Sequence, residues 1–217
     1  MPTELVKKTL AFVKKQLANE PTGHDYWHVK RVWETAKKIQ AVEGGDLELV
    51  ELAALLHDLG DYKQLEFDEQ KGILVLRGMM DVLEIPADFQ KKIITIVEDS
   101  MFVGDDTISP ATLEGKIIQD ADWMENLGAI GIARTFATGG RLKRIIHDPD
   151  RRPRKRLPRV VYLHKKIEGT SINFFYEKIL KLSEMMNTET AKKMAKEKVQ
   201  FTKIYLDQFL REWDGKI

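Results

Sequence analysis

The chain has 217 residues, of which 43% are hydrophobic and 32% charged, enough to bury a core in one domain or two small ones and unlike a disordered chain. Its 35 Lys and Arg against 34 Asp and Glu leave a net charge of +1, which argues against a nucleic-acid or membrane binder that works by bulk charge. There is no cysteine, so disulfide scaffolds, thiol nucleophiles and Cys-ligated zinc or iron–sulfur sites are excluded, and any metal must be held by His, Asp and Glu.

The opening MPTELVKKTLAFVKK is broken by lysines and has no signal-peptide apolar core. No stretch reaches the ~18 apolar residues that a membrane span requires. The cytoplasm is the expected address.

Apolar spacing predicts helices almost throughout. Val6, Leu10, Val13 and Leu17 form one stripe, ended by Pro21, Thr22 and Gly23. A second helix is predicted over 26–42, stopping at Gly44-Gly45. Asp46 can cap a third, whose Leu47, Val50 and Ala54 share a face with His57, with Gly60 where the helix would close. Further helices are predicted over 68–83, 88–100, 112–137, 173–186 and 188–213. The run GILVLRGMM within the fourth fits strand or helix. Phe201, Tyr205, Phe209 and Trp213 recur every four residues in the last helix and predict a core-facing stripe, with a partner surface as the alternative.

One segment departs from this pattern. Residues 139–158 read GGRLKRIIHDPDRRPRKRLP, rich in Arg and Lys and broken by two glycines and three prolines. That predicts an exposed basic loop over about 139–160. It can be a mobile lid carrying cations to a phosphate, a nucleic-acid grip, or a solvated loop with no site role.

There are only five histidines. His24 and His28 stand four apart, a spacing that puts both on one face of a helix. His57 and Asp58 end the otherwise apolar AALLHDLGD. A charged Asp beside core costs several kcal/mol unless it has a partner, and a metal ion is one. A hydrogen-bonded core histidine and a helix-end carboxylate are the alternative. In QDADWMENLGAIGIARTF, Asp120 and Asp122 interrupt an apolar helix and Glu125 follows. Spacing alone does not say which aspartate faces a cleft. Gly128 and Gly131 cost about 1 kcal/mol each in a helix and predict close approach by a neighbouring helix.

These motifs resemble the HD superfamily of metal-dependent phosphohydrolases, whose pattern is a His, a His-Asp doublet and a distant Asp. Here it reads His28, His57-Asp58 and Asp122. The likeness is nearest to a subfamily of small HD proteins, through GHDYWHVKRV (23–32), AALLHDLGDYK (53–63), DADWMENLGAIGIARTF (120–136), TSINFFYEKILKL (170–182), MMNTETAKKMA (185–195) and REWDG.

The resemblance implies one all-α HD-type domain over 1–217, with its metal-site helices in about 22–137 and C-terminal helices in 173–213. It also implies that His28, His57, Asp58 and Asp122 bind one divalent ion. Two imidazoles and two carboxylates suit Mn²⁺, Fe²⁺, Co²⁺ or Ni²⁺, with Mg²⁺ also in range. Asp61 takes the place of a catalytic carboxylate, with an ordinary turn Asp as the alternative. His24, Arg31, Lys63, Arg134 and Lys178 are the candidates for substrate contact. His24 can instead steady the metal site, and a solvated surface role is the alternative for each cation. The subfamily carries Arg where Trp123 stands, Asp where Glu125 stands and His where Phe174 stands.

The implied activity is hydrolysis of a nucleotide, or another small phosphate ester or anhydride, by a metal-activated water. The alternatives are a non-catalytic metal- or nucleotide-binding signalling module and a nucleic-acid-acting protein that uses the basic loop. No membrane partner is implied, and the chain can be a monomer or a homodimer.

Overall fold

The computed structural model describes residues 1–18, 20, 23–59, 69–163 and 169–217. Asp61, Lys63 and Gly60 lie outside the described residues. The fold is all-α: among the described residues the only β-type pairing is an isolated parallel bridge between Ile145 and Thr170.

Helix α1 spans Glu4–Gln16, α2 Tyr26–Glu43 and α3 Leu47–Leu56. Each starts at an oxygen-bearing cap: Thr3 accepts from Val6 N, Asp25 from His28 N and Asp46 from Leu49 N. The next two are α4 (Glu69–Val82) and α5 (Ala87–Ser100), so the run GILVLRGMM is helical. Every residue from Leu49 to Leu56 is buried. A helix apolar on all sides belongs at the centre, and α3 packs against α1, α2, α5 and α6. Glu51, its one buried charge, accepts a hydrogen bond from Trp33 Nε1 at 3.2 Å.

The helix predicted over 112–137 is two helices, α6 (Leu113–Met124) and α7 (Gly128–Arg141). The N–H groups of Glu125, Asn126 and Leu127 bond back three residues, to Asp122, Trp123 and Met124, and this tightens and ends α6. Gly128 then turns the chain at φ +71°, where a side chain would also crowd Lys198 of the last helix. The close approach at Gly131 is by the Asn126 backbone of this turn, not by a neighbouring helix.

Beyond α7 come α8 (Arg159–Tyr162), α9 (Ser171–Phe174), a π-helical turn over Phe175–Ile179, α10 (Leu180–Met185) and α11 (Glu189–Trp213). The aromatic stripe of α11 is only half core-facing. Tyr205 and Phe209 pack around Phe136, but Phe201 and Trp213 are exposed. The buried face is Ala191, Ala195, Thr202 and Leu206.

The basic segment exposes Arg152, Lys155 and Arg156, yet it is strapped to the body. Ser171 N and Ile172 N donate to the carbonyls of Ile145 and Ile146. Asn173 Nδ2 donates to Arg151 O, and Arg154 N to the buried Glu177 carboxylate. Leu157 is fully buried, its N–H bonded to Asp105 Oδ2 at 2.6 Å.

Asp120 and Asp122 part company on α6. Asp120 is fully buried and accepts from Asn187 N, Asn187 Nδ2, Thr188 N and Thr188 Oγ1 at 2.7–2.8 Å, fixing the start of α11. Asp120→Ala would strand these donors and should cost about 3 kcal/mol of unfolding free energy in urea titrations. Metal content should be unchanged. A loss below about 1 kcal/mol would remove this structural role.

Candidate metal centre

Three elements build the site: the start of α2, the end of α3 and the end of α6. His28 is in the first turn of α2 and fully buried. His57 is the C-cap of α3, and Asp58 follows it. Asp122 comes from the last turn of α6. Leu59 N bonds to Leu56 O, so the chain is still turning as it delivers the His-Asp pair.

Their donor atoms converge. Nε2 of His28 lies 3.2 Å from Asp58 Oδ2, 3.4 Å from Asp122 Oδ1 and 3.3 Å from His57 Nε2. His57 Nε2 is 3.7 Å from Asp58 Oδ1 and 3.8 Å from Asp122 Oδ1. Ligands about 2.1 Å from an octahedral ion sit about 3.0 Å apart, so these spacings fit the ligand shell of one small divalent cation. Nδ1 of His57 is 2.8 Å from Ala54 O. A carbonyl only accepts, so the proton is on Nδ1 and the Nε2 lone pair is free for an ion.

Electrostatics point the same way. Burial and Arg134 both work against a charged His28, yet Asp122, Asp58 and Glu125 raise its pKa to about 10. Burial also opposes ionisation of Asp58 and Asp122. The His24 and His57 rings hold Asp58 well below the usual carboxylate range, and His28 and His57 do the same for Asp122. This cluster, with Glu125 buried, Asp58 nearly so and Asp122 partly exposed, therefore calls for positive charge, from a proton or from a metal ion.

His24 stands before the cap of α2, so it does not share a helical face with His28. The two meet nonetheless, with ring centroids 5.6 Å apart, because Nδ1 of His24 reaches Asp58 Oδ2 at 2.9 Å. Gly23 allows this turn, with φ +87° and Arg134 packed where its Cβ would be.

The motif pattern has counterparts in known proteins. The model of the HD domain matches residues 26–127. The protein YpgQ of Bacillus subtilis, itself uncharacterised, is 32% identical over 213 residues, covering 95% of this chain and 90% of that one. The chain belongs to the HD superfamily. Among solved structures it is similar to a Lactobacillus plantarum protein (TM-score 0.85, 34% identity, 99% of this chain and 100% of that one). It is also similar to an HD-superfamily hydrolase of Bacillus thuringiensis (TM-score 0.69, 35% identity, 96% of both chains). A third similar structure is Bacillus subtilis YpgQ in complex with ADP (TM-score 0.71, 28% identity, 96% of this chain and 95% of that one).

In this HD protein the His-Asp set opens onto a cleft that His24, His57, Asp58 and Asp122 help to line. Arg134 and Lys178, two of the expected substrate contacts, line it too. Arg134 is anchored by Gly23 O at 2.6 Å and Glu125 O at 3.3 Å. Arg31 instead meets Glu125, with Nε to Oε2 at 2.7 Å.

Arg141 and Arg144 also line the cleft, and the sequence did not single them out from the basic segment. Arg144 lies over the Phe174 ring at 4.6 Å, and Lys178, nearly buried on the π-helical turn, lies over Phe102 at 4.6 Å. The unusual residues thus have different surroundings: Trp123 is buried beside Phe102, Glu125 sits by His28, and Phe174 forms cleft wall.

A divalent ion held by this set would have to displace the His28 proton at neutral pH. Mn²⁺ titrations in buffers of different ionisation heat should show about one proton released near pH 7. Affinity should weaken as pH falls, since His28 stays protonated up to about pH 10 without an ion. Binding with no proton release would contradict this arrangement.

Proposed function

We propose that this HD protein is a divalent-metal-dependent phosphohydrolase that acts on a nucleotide or another small phosphate ester or anhydride. The observation that carries the reading is the convergence of His28, His57, Asp58 and Asp122 beside a cleft lined by Arg134, Arg141, Arg144 and Lys178. Mn²⁺ is the first ion to test, with Fe²⁺, Co²⁺, Ni²⁺ and Mg²⁺ as alternatives.

Two carboxylates neutralise a divalent ion, so an anionic phosphate has little net attraction to the centre itself. The cleft cations supply that attraction. Lys178 and Arg144 are steadied by aromatic faces, which holds their charge in place at the cleft wall. Arg134, pinned by two backbone carbonyls, reaches the cleft beside the metal set. When bound, the ion supplies Lewis acidity toward a phosphoryl oxygen and a lowered pKa for water. Asp58 and Asp122 hold that ion, while His24 fixes the angle of Asp58. The cations spread along the cleft stabilise charge as the phosphorus–oxygen bond breaks. Asp61, next in sequence beyond Gly60, is proposed as the residue that orients water or protonates the leaving oxygen. A nucleotide is the leading substrate because the similar YpgQ structure is a complex with ADP.

The test is a panel of nucleotides and generic phosphate esters, supplemented with each metal, with products identified. Turnover with metal, abolished together with metal binding in Asp58→Ala, is the expected result. Lys178→Met should bind Mn²⁺ normally and lose about 10- to 100-fold in kcat/KM, the range for a hydrogen bond to a charged group. Metal bound but no turnover on any compound would favour a binding module over an enzyme.

A further inference from the structure

We propose that Glu125 is a positioning residue of the metal centre, holding the far side of the His28 ring, and that Arg31 in turn holds Glu125. This inference rests on reading His28, His57, Asp58 and Asp122 as metal ligands.

An imidazole can give a metal only one of its two nitrogens. For His28 that nitrogen is Nε2, since it faces Asp58, Asp122 and His57. The other, Nδ1, is buried without a hydrogen-bond partner, and the carboxylate oxygen Oε2 of Glu125 stands 3.5 Å from it. An N–H there must find an acceptor or remain unsatisfied in the core. Glu125 is itself 4% exposed at the side chain, so its charge also needs a partner. A shift of a few tenths of an ångström would close the gap into a hydrogen bond and meet the need of both groups. The carboxylate fixes the tautomer that leaves the Nε2 lone pair available, and it makes the ring a stronger donor.

Glu125 is well placed by its backbone. It is the C-cap of α6, three residues after Asp122, so a single helix end delivers a metal ligand and the group behind another. Its carbonyl accepts from Arg134 Nη1 at 3.3 Å. Its side chain is fixed by Arg31 Nε at 2.7 Å, and Arg31 is one helical turn from His28 on α2. The chain of contacts Arg31–Glu125–His28 therefore runs from a partly exposed guanidinium to the centre.

The two ligand imidazoles are held differently. His57 gives its Nδ1 proton to the neutral Ala54 carbonyl, while His28 faces a full negative charge. His28 is thus the stronger donor, and the loss of Glu125 should be felt in metal affinity before anything else. A plain counter-ion role for Arg31 does not explain the arrangement. A guanidinium that is 39% exposed has water available, whereas the buried carboxylate and the buried ring nitrogen do not.

The experiment is titration of chelator-stripped protein with Mn²⁺, in the absence of substrate, read by the electron paramagnetic resonance of free Mn²⁺. Glu125→Gln keeps the size of the side chain and removes its charge. It should weaken Mn²⁺ binding about 10- to 100-fold and shift the visible absorption of the Co²⁺ form, with little change in the melting temperature of the metal-free protein. Arg31→Gln, at a partly exposed site, should weaken binding in the same direction, and the double variant should be no weaker than Glu125→Gln alone. A phosphate-holding role for Arg31 would leave this substrate-free titration unchanged. Mn²⁺ affinity within about twofold of the parent for Glu125→Gln, or fully additive losses in the double variant, would overturn the proposal. If Glu125→Gln does not fold, Arg31→Gln decides: unchanged affinity overturns the proposal and weakened affinity supports it. A parent protein that binds no Mn²⁺ or Co²⁺ would instead overturn the metal reading on which this rests.

Discussion

Negative charge buried around one imidazole is the constraint on which the rest of the structure turns. Asp58, Asp122 and Glu125 all approach His28, which has no solvent contact. Isolated carboxylates in such a place would cost many kcal/mol or take up protons. Here they stay ionised because each has a positive or donating neighbour: His24 for Asp58, His28 for Asp122, and Arg31 for Glu125. The central packing of α2, α3 and α6 exists around this arrangement. The largely apolar α3 anchors it, and Asp120, two residues before Asp122 on α6, ties the same helix to α11.

The second organising feature is the separation of charge along the cleft. The end at His57, Asp58 and Asp122 carries the carboxylates and the remainder Arg and Lys, so a net charge of +1 conceals two charged regions. The basic segment contributes Arg144, and it does so from a fixed frame: the carbonyls of Ile145 and Ile146 bond to the start of α9, and Arg154 to Glu177 in the π-helical turn. That same turn carries Lys178. Local π-helical geometry often accompanies a site, and here it sets a buried lysine beside three aromatic rings.

Much of this was legible in the sequence, for identifiable reasons. The helices followed from apolar spacing, and the capping of α3 from Asp46. The grouping of His28, His57, Asp58 and Asp122 as candidate ligands followed from the resemblance of their motifs to the HD superfamily, and the fold brings the four side chains together. What the one-dimensional pattern could not show depended on turns and on direction. The stretch from Thr112 to Ala137 has continuous helical character, so the break at residues 125–127 depends on a backbone turn that periodicity does not encode. Asp120 and Asp122 are both acids in apolar surroundings, and only the packing of α11 against α6 assigns one to structure and the other to the cleft. Arg31 was a candidate substrate contact from its place in the His28 motif, and only the fold shows that its side chain meets Glu125. Glu125 stood out as a carboxylate following Asp120 and Asp122 and as a departure from the subfamily pattern, and its position behind His28 emerges only when the ends of α2 and α6 are brought together.

The proposed function stands or falls on whether His28, His57, Asp58 and Asp122 surround one divalent ion. A crystal grown with Mn²⁺, measured across the manganese absorption edge, tests it most directly. A single anomalous peak is expected within bonding distance of Nε2 of His28 and His57 and of carboxylate oxygens of Asp58 and Asp122. A protein that takes up Mn²⁺ elsewhere, with these four side chains still bonded only to one another, would contradict it.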